Sequence, residues 1–232
     1  MPVLGDGVVL TARSGCAAGA ARAARDAGFT LIELLVAVVI LGVIMVPLGN
    51  AVIGYVRTTD ATADRLALSH DAQLSAAYFA RDVASTGLRD YAAAQDANGN
   101  QPFRASIQLD AGYTAGGTGC GTAGTPTALL RLLSDDWDTT GATPVVRTDV
   151  VAYYLAVAGT AAELHRLRCT GSATPVTDTV VAHDVVVGSA TVGCSSTCTA
   201  AAVPRQVTLT FTVSRPGAGT YQIVLTGQRR QT

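Results

Sequence analysis

Lysine is absent from the 232 residues, and all 16 basic side chains are arginine. Against 17 acids they leave a formal net charge of -1, which excludes the basic field that nucleic-acid binding draws on. No arginine cluster suited to phosphate recognition stands out along the chain. The arginine-only usage, with abundant glycine and alanine, reads as the composition bias of a GC-rich genome. Also missing are a G-x-S-x-G elbow, an H-E-x-x-H helix and a phosphate loop. His70, His165 and His183 are far apart in sequence, and Asp184 beside His183 would point to the opposite face of a strand. No enzyme activity is expected, and no cofactor or metal.

What the chain does have is apolar material, 49% of its residues. Residues 29–53 form a run with one ionisable side chain, Glu33. At about 1.5 Å per residue, a helix of this length crosses a bilayer core of about 30 Å. Upstream, Arg13, Arg22 and Arg25 outnumber Asp6 and Asp26; downstream, Arg57 and Arg65 are offset by Asp60 and Asp64. The basic residues favour a cytoplasmic N-terminus. An acid deep in a bilayer costs about 2.5 kcal/mol or more, so Glu33 asks for a function. A cut after Gly28 would supply one: Phe29 would then carry a positively charged amine within one helical turn of the acid. An ordinary secretory signal, with small residues at 49–51, is the competing reading. It leaves Glu33 unexplained, and Val52, Ile53, Tyr55 and Val56 carry the apolar run past the cut.

The stretch GFTLIELLVAVVILG, residues 28–42, resembles the N-terminal signal of type IV pilins and type II secretion pseudopilins. The resemblance rests on Gly28, Phe29, Thr30, Leu31, Ile32, Glu33, the apolar run and Gly42. It implies cleavage between Gly28 and Phe29 by a prepilin peptidase, a membrane aspartic protease, on the cytoplasmic side. It also implies N-methylation of Phe29 by the same enzyme. In that family Glu33 neutralises the Phe29 amine of a neighbouring subunit during assembly. The physics is coherent, because an apolar helix lets subunits slide and one charge pair in a low dielectric fixes their axial register. Pro47 and Gly42 are expected to kink or loosen the helix. The family suggests partial unwinding there when the subunit leaves the bilayer.

Residues 64–90 continue as a helix. Leu68, Ala72, Ser75, Phe79 and Val83 share a face that should pack on a sheet, Leu74 and Tyr78 flank it, and Gly87 is a plausible stop. Arg81 and Asp82 read by default as solvated charges. FARDVASTG nevertheless resembles the matching stretch of J-type minor pseudopilins and W-type minor pilins. Residues 90–127 read as loop-rich. Asp96, Asn98 and Asn100 mimic the start of a calcium loop, but Gln101 and Ile107 stand where glycine and glutamate are required. DDWD, residues 135–138, reads as an exposed acidic turn, with calcium as the alternative. Strands follow in ALLRLLS, DVVAYYLAV, AELHRLRC, DTVVAHDVVVG, RQVTLTFTV and TYQIVLTGQ, the last two joined as a hairpin through RPGAG.

Five cysteines are present, and four of them follow the apolar segment: Cys120, Cys169, Cys194 and Cys198. An even set there suggests an oxidising, extracytoplasmic compartment. Three pairings are possible. The short CSSTC loop favours Cys194 with Cys198, leaving Cys120 with Cys169, and zinc is the rival.

The expected architecture is α+β, a pilin-like long N-terminal helix on an antiparallel β-sheet. Its divisions are a leader at 1–28, a transmembrane and assembly helix at 29–56, an amphipathic continuation at 57–89 and an extracytoplasmic β-rich domain at 90–232. The resemblance implies a minor pilin or pseudopilin of a type IV pilus or a type II secretion pseudopilus. Its implied partners are the prepilin peptidase and methyltransferase, other subunits, the inner-membrane assembly platform and the membrane. Its location would be the cell membrane in a single pass, then the filament. The alternative is a signal-anchored extracytoplasmic binding domain that does not polymerise.

Overall fold

The computed structural model describes residues 29–230. Helix α1 spans Leu31–Ser85 and continues through Gly42, Pro47, Gly49 and Gly54. The chain forms two units, divided between Ala51 and Val52. In the first, the described residues are exposed throughout, among them Leu34, Val38, Leu41 and Met45. α1 is long and apolar enough to cross a membrane.

The second unit is a helix on a sheet. Its strands are β1 Leu88–Arg89, β2 Phe103–Arg104, β3 Ile107–Ala111, β4 Ala128–Asp138, β5 Val145–Ala158, β6 Ala161–Thr170, β7 Pro175–Val186, β8 Thr191–Cys194, β9 Gln206–Arg215 and β10 Gly219–Gln228. The main sheet is ordered β10-β9-β7-β6-β5-β4-β3, with β8 also paired to β9. All of its ladders are antiparallel. β1 and β2 form a separate two-stranded ladder. The fold is a long N-terminal helix packed against an antiparallel sheet, a pilin-like α+β arrangement.

Both faces of the sheet are covered, which explains strands that read as unbroken apolar runs. On one face the helix residues Leu68, Phe79 and Val83 meet Leu132, Val151, Tyr153, Leu164, Leu209 and Phe211. On the other, Leu133, Val150, Ala152, Tyr154 and Leu167 form a second core with Cys120 and Cys169. Neighbours in sequence, such as Val150 and Val151 or Tyr153 and Tyr154, therefore serve opposite cores. Leu167, which breaks the alternation of β6, belongs to the second core.

Four expectations need correction. Residues 90–127 are not simply loop, since β2 and β3 lie within them. DDWD is not a turn but the end of β4, held in register with residues 145–148 of β5. The helix stripe also includes buried Asp71 and Asp82, while Ala72 is only half-buried. The helix ends at Ser85 instead of running to residue 90, and Leu88–Arg89 form β1. β9 buries Val207, Leu209, Phe211 and Val213 and pairs with β10 across the turn that RPGAG forms. Gly87, beyond the last helical residue, adopts a φ of 151° that side chains disfavour.

Candidate assembly site and the helix-to-sheet lock

Phe29 is exposed, and α1 begins two residues later. The Thr30 hydroxyl accepts a hydrogen bond of 3.3 Å from the Glu33 backbone N–H. T-x-x-E is the spacing of a capping box, in which the first residue closes the helix start and the acid occupies the first turn. A carboxylate there also faces the positive end of the helix dipole. The sequence reading missed this second use of Glu33, although the spacing from Thr30 signals it. Gly28 and Cys16 lie outside the described residues, as does the leader at 1–28. Gly42 and Pro47 are exposed within the continuous helix.

The continuation of α1 is fastened to the sheet by three acids. Asp64, Asp71 and Asp82 are separated by 7 and 11 residues, two and three helical turns, so they project from one face. Asp64 accepts from the Gly217 N–H at 3.1 Å in the β9–β10 turn, and Arg215 approaches it while pairing with Asp184 on β7. Asp71 accepts the His183 N–H and meets the His183 Nδ1, both at 3.0 Å. Asp82 receives Arg166 through Nε at 2.6 Å and Nη2 at 2.7 Å, and the Tyr153 hydroxyl at 2.6 Å.

The Asp82 group is buried, so the reading of Asp82 as a solvated charge is corrected; Arg81 is exposed. The Arg166 guanidinium lies over the Tyr78 ring at 4.9 Å. Burial alone would lower the pKa of Arg166, but the hydrogen bonds and charge of Asp82, helped by Tyr153, outweigh it and raise it. Burial pushes the Tyr153 phenol well above its ordinary value, and the Asp82 charge and hydrogen bond add to that. His183 and Asp184, adjacent in sequence, serve different partners and form no dyad.

The second core carries the disulfide Cys120–Cys169, with the α-carbons 5.5 Å apart. Cys194–Cys198 closes the short loop after β8. Of the DDWD acids, Asp135 accepts from the Arg89 N–H at 3.0 Å and the Tyr91 hydroxyl at 3.1 Å. Asp138 accepts from the Thr140 hydroxyl and N–H, which hold its carboxyl below the ordinary range with help from Arg147. His165 stacks on Tyr154 and meets Asp178 at 2.9 Å.

Residues 23–49 match the family model of the prokaryotic N-terminal methylation motif. No curated protein and no solved structure matches the chain. The motif implies processing by a prepilin peptidase, and with the apolar helix it is consistent with a membrane-anchored prepilin. Pilins are in general structural proteins rather than enzymes. On a pilin-like α+β fold, the chain thus carries the prepilin cleavage and methylation motif of the type IV pilin and pseudopilin family.

Proposed function

We propose that this protein is a minor pilin or pseudopilin, assembled into a type IV pilus or a type II secretion pseudopilus. The match over residues 23–49 carries the reading. Residues 1–28 are the leader, 29–56 cross the membrane and later line the filament, 57–89 continue the helix, and 90–232 form the outer domain. The peptidase cuts between Gly28 and Phe29 and methylates the Phe29 amine. Glu33 of one subunit then neutralises the Phe29 amine of its neighbour, since an unpaired charge in an apolar helix bundle is costly. Pro47 and Gly42 let the helix loosen as the subunit leaves the bilayer. The assembly platform and other subunits are its partners.

Mass spectrometry of the protein from its native host tests the first step. After trypsin, the N-terminal peptide runs from Phe29 to Arg57 and contains no lysine, so its sole amine is the new α-amine. A methyl group on that peptide is the expected result. A mature start near Val52, or an uncut chain, would sink the proposal. Glu33→Ala tests the second step: cleavage persists and incorporation into filaments drops. Normal incorporation contradicts the role given to the acid.

A further inference from the structure

Arg89, Arg205 and Arg229 are distant in sequence, yet the fold brings the first and last onto one aromatic ring and pairs the backbones of the last two. Phe103 lies opposite Arg89 in the β1–β2 ladder. The Arg89 guanidinium sits 4.3 Å from the centre of the Phe103 ring, and that of Arg229 sits 4.5 Å from it. Arg229 donates its backbone N–H to the Arg205 carbonyl at 2.8 Å, one step beyond the last paired residues of β9 and β10, Gln206 and Gln228. Two arginines therefore oppose each other across a ladder, where like charges are destabilising.

Among the described residues, acids lie near Arg89 alone: its charge acts on Asp96 and its backbone N–H donates to Asp135, while no carboxylate pairs with Arg205 or Arg229. Nε and Nη1 of Arg229 are buried without a hydrogen-bond partner. The Arg89 guanidinium donates to a neutral acceptor, the Gln101 carbonyl, at 2.7 Å. Burial lowers the Arg229 pKa, and Arg205 and then Arg89 lower it further. Beside them opens a cleft of about 890 Å³. Phe103, Arg205 and Arg229 line it together with neutral hydrogen-bonding side chains, Ser195, Gln206 and Gln228 among them. Its size falls in the range of small-molecule sites, roughly 300–1,000 Å³, and exceeds what a bare oxyanion fills.

We infer that this cleft binds a phosphate dianion carried on a small organic group, a phosphomonoester. Arginine pairs bidentately with phosphate oxygens, and the two arginines that line the cleft match two negative charges better than one would. The serine hydroxyl and the glutamine amides supply further donors. The Phe103 face and the remaining volume accommodate the organic part. The inference stands apart from the filament reading and survives its failure.

The test uses the full chain in detergent micelles at pH 7.5 and constant ionic strength. Titration calorimetry and thermal melts are run with inorganic phosphate, phenyl phosphate, dimethyl phosphate and acetate. Saturable binding of the first two, and of phenyl phosphate more tightly, is expected. Arg205→Gln and Arg229→Gln each weaken it by about tenfold or more. Arg205 is exposed and opposes a like charge, so its replacement does not lower the ligand-free melting temperature, which keeps the test clear of misfolding. Phosphatidic acid in the micelles identifies the source: displacement of phosphate points to a lipid headgroup, and no displacement to a soluble monoester. Three results would overturn the inference. They are no saturable binding of phosphate up to about 10 mM, equal binding of dimethyl phosphate or acetate, or unchanged binding by both arginine variants.

Discussion

Arg166 on β6 reaches 84 residues back in sequence to grip Asp82 on α1 with two hydrogen bonds, through Nε and Nη2. Both side chains are buried, and the Tyr153 hydroxyl completes the carboxylate's shell. The pair ties the last turns of the helix to the two central strands of the sheet, β5 and β6.

Removing one member should cost more than removing both. Asp82→Ala leaves a buried guanidinium unpaired, and a loss of about 3–5 kcal/mol in urea unfolding of the micelle-bound chain is expected. Asp82→Ala with Arg166→Met should recover a large part of that loss. Arg81→Ala, one residue away on the exposed side, should change stability by about 0.5 kcal/mol or less.

Stability should fall on the alkaline side. The folded pKa of Tyr153 is raised, so the fold favours the neutral phenol. That contribution is fully present below the unfolded value of about 10 and is lost as pH rises above it. Tyr154, whose hydroxyl donates to Asp178, is shifted the same way by burial and by that bond, and adds to the slope. Melting temperatures between pH 8 and 11.5 should be flat and then decline, and Tyr153→Phe should make the decline shallower.

The two disulfides should differ in weight. Cys120–Cys169 closes a loop across 49 positions and Cys194–Cys198 across 4. On loop entropy alone the first stabilises by about 4 kcal/mol and the second by about 2 kcal/mol. Paired Cys→Ala variants, compared in urea, should show the larger drop for Cys120 with Cys169.

Gly227 should not tolerate a side chain. A β-carbon there would meet the Val83 side chain, because β10 runs against the helix at that point. Gly227→Ala is expected to cost about 1–3 kcal/mol, and because the nearest atom is the Val83 β-carbon, Val83→Ala added to it should not restore the loss. A neutral single variant would show that the helix shifts freely there.

What could be read in advance was local. The apolar run, the alternation of β9 and β10 and the RPGAG turn each state their structure within a few residues. So does the short loop between Cys194 and Cys198. What escaped depends on partners far along the chain. Asp82 reads as solvated until Arg166 and Tyr153 arrive, and Asp71 until His183 does. DDWD has the composition of a turn, but its register with β5 holds it extended. The arginines at and beside Phe103 sit at positions 89, 205 and 229, where no motif search joins them. The doubly covered sheet was foreshadowed by the apolar runs in β4 and β5, yet nothing local distinguishes which residue serves which core.

The spacing of Asp64, Asp71 and Asp82 has a mechanical side. The three fastenings are spread over roughly 27 Å of helix and end on different parts of the sheet, namely the β9–β10 turn, β7, and β5 with β6. Tension along the helix axis therefore loads them together in shear, instead of peeling them one after another. Single-molecule traces pulled along that axis should show one rupture event, and a staircase of small ones would contradict this. Within the unit that begins at Val52, helix and sheet would then yield to such a pull together or not at all.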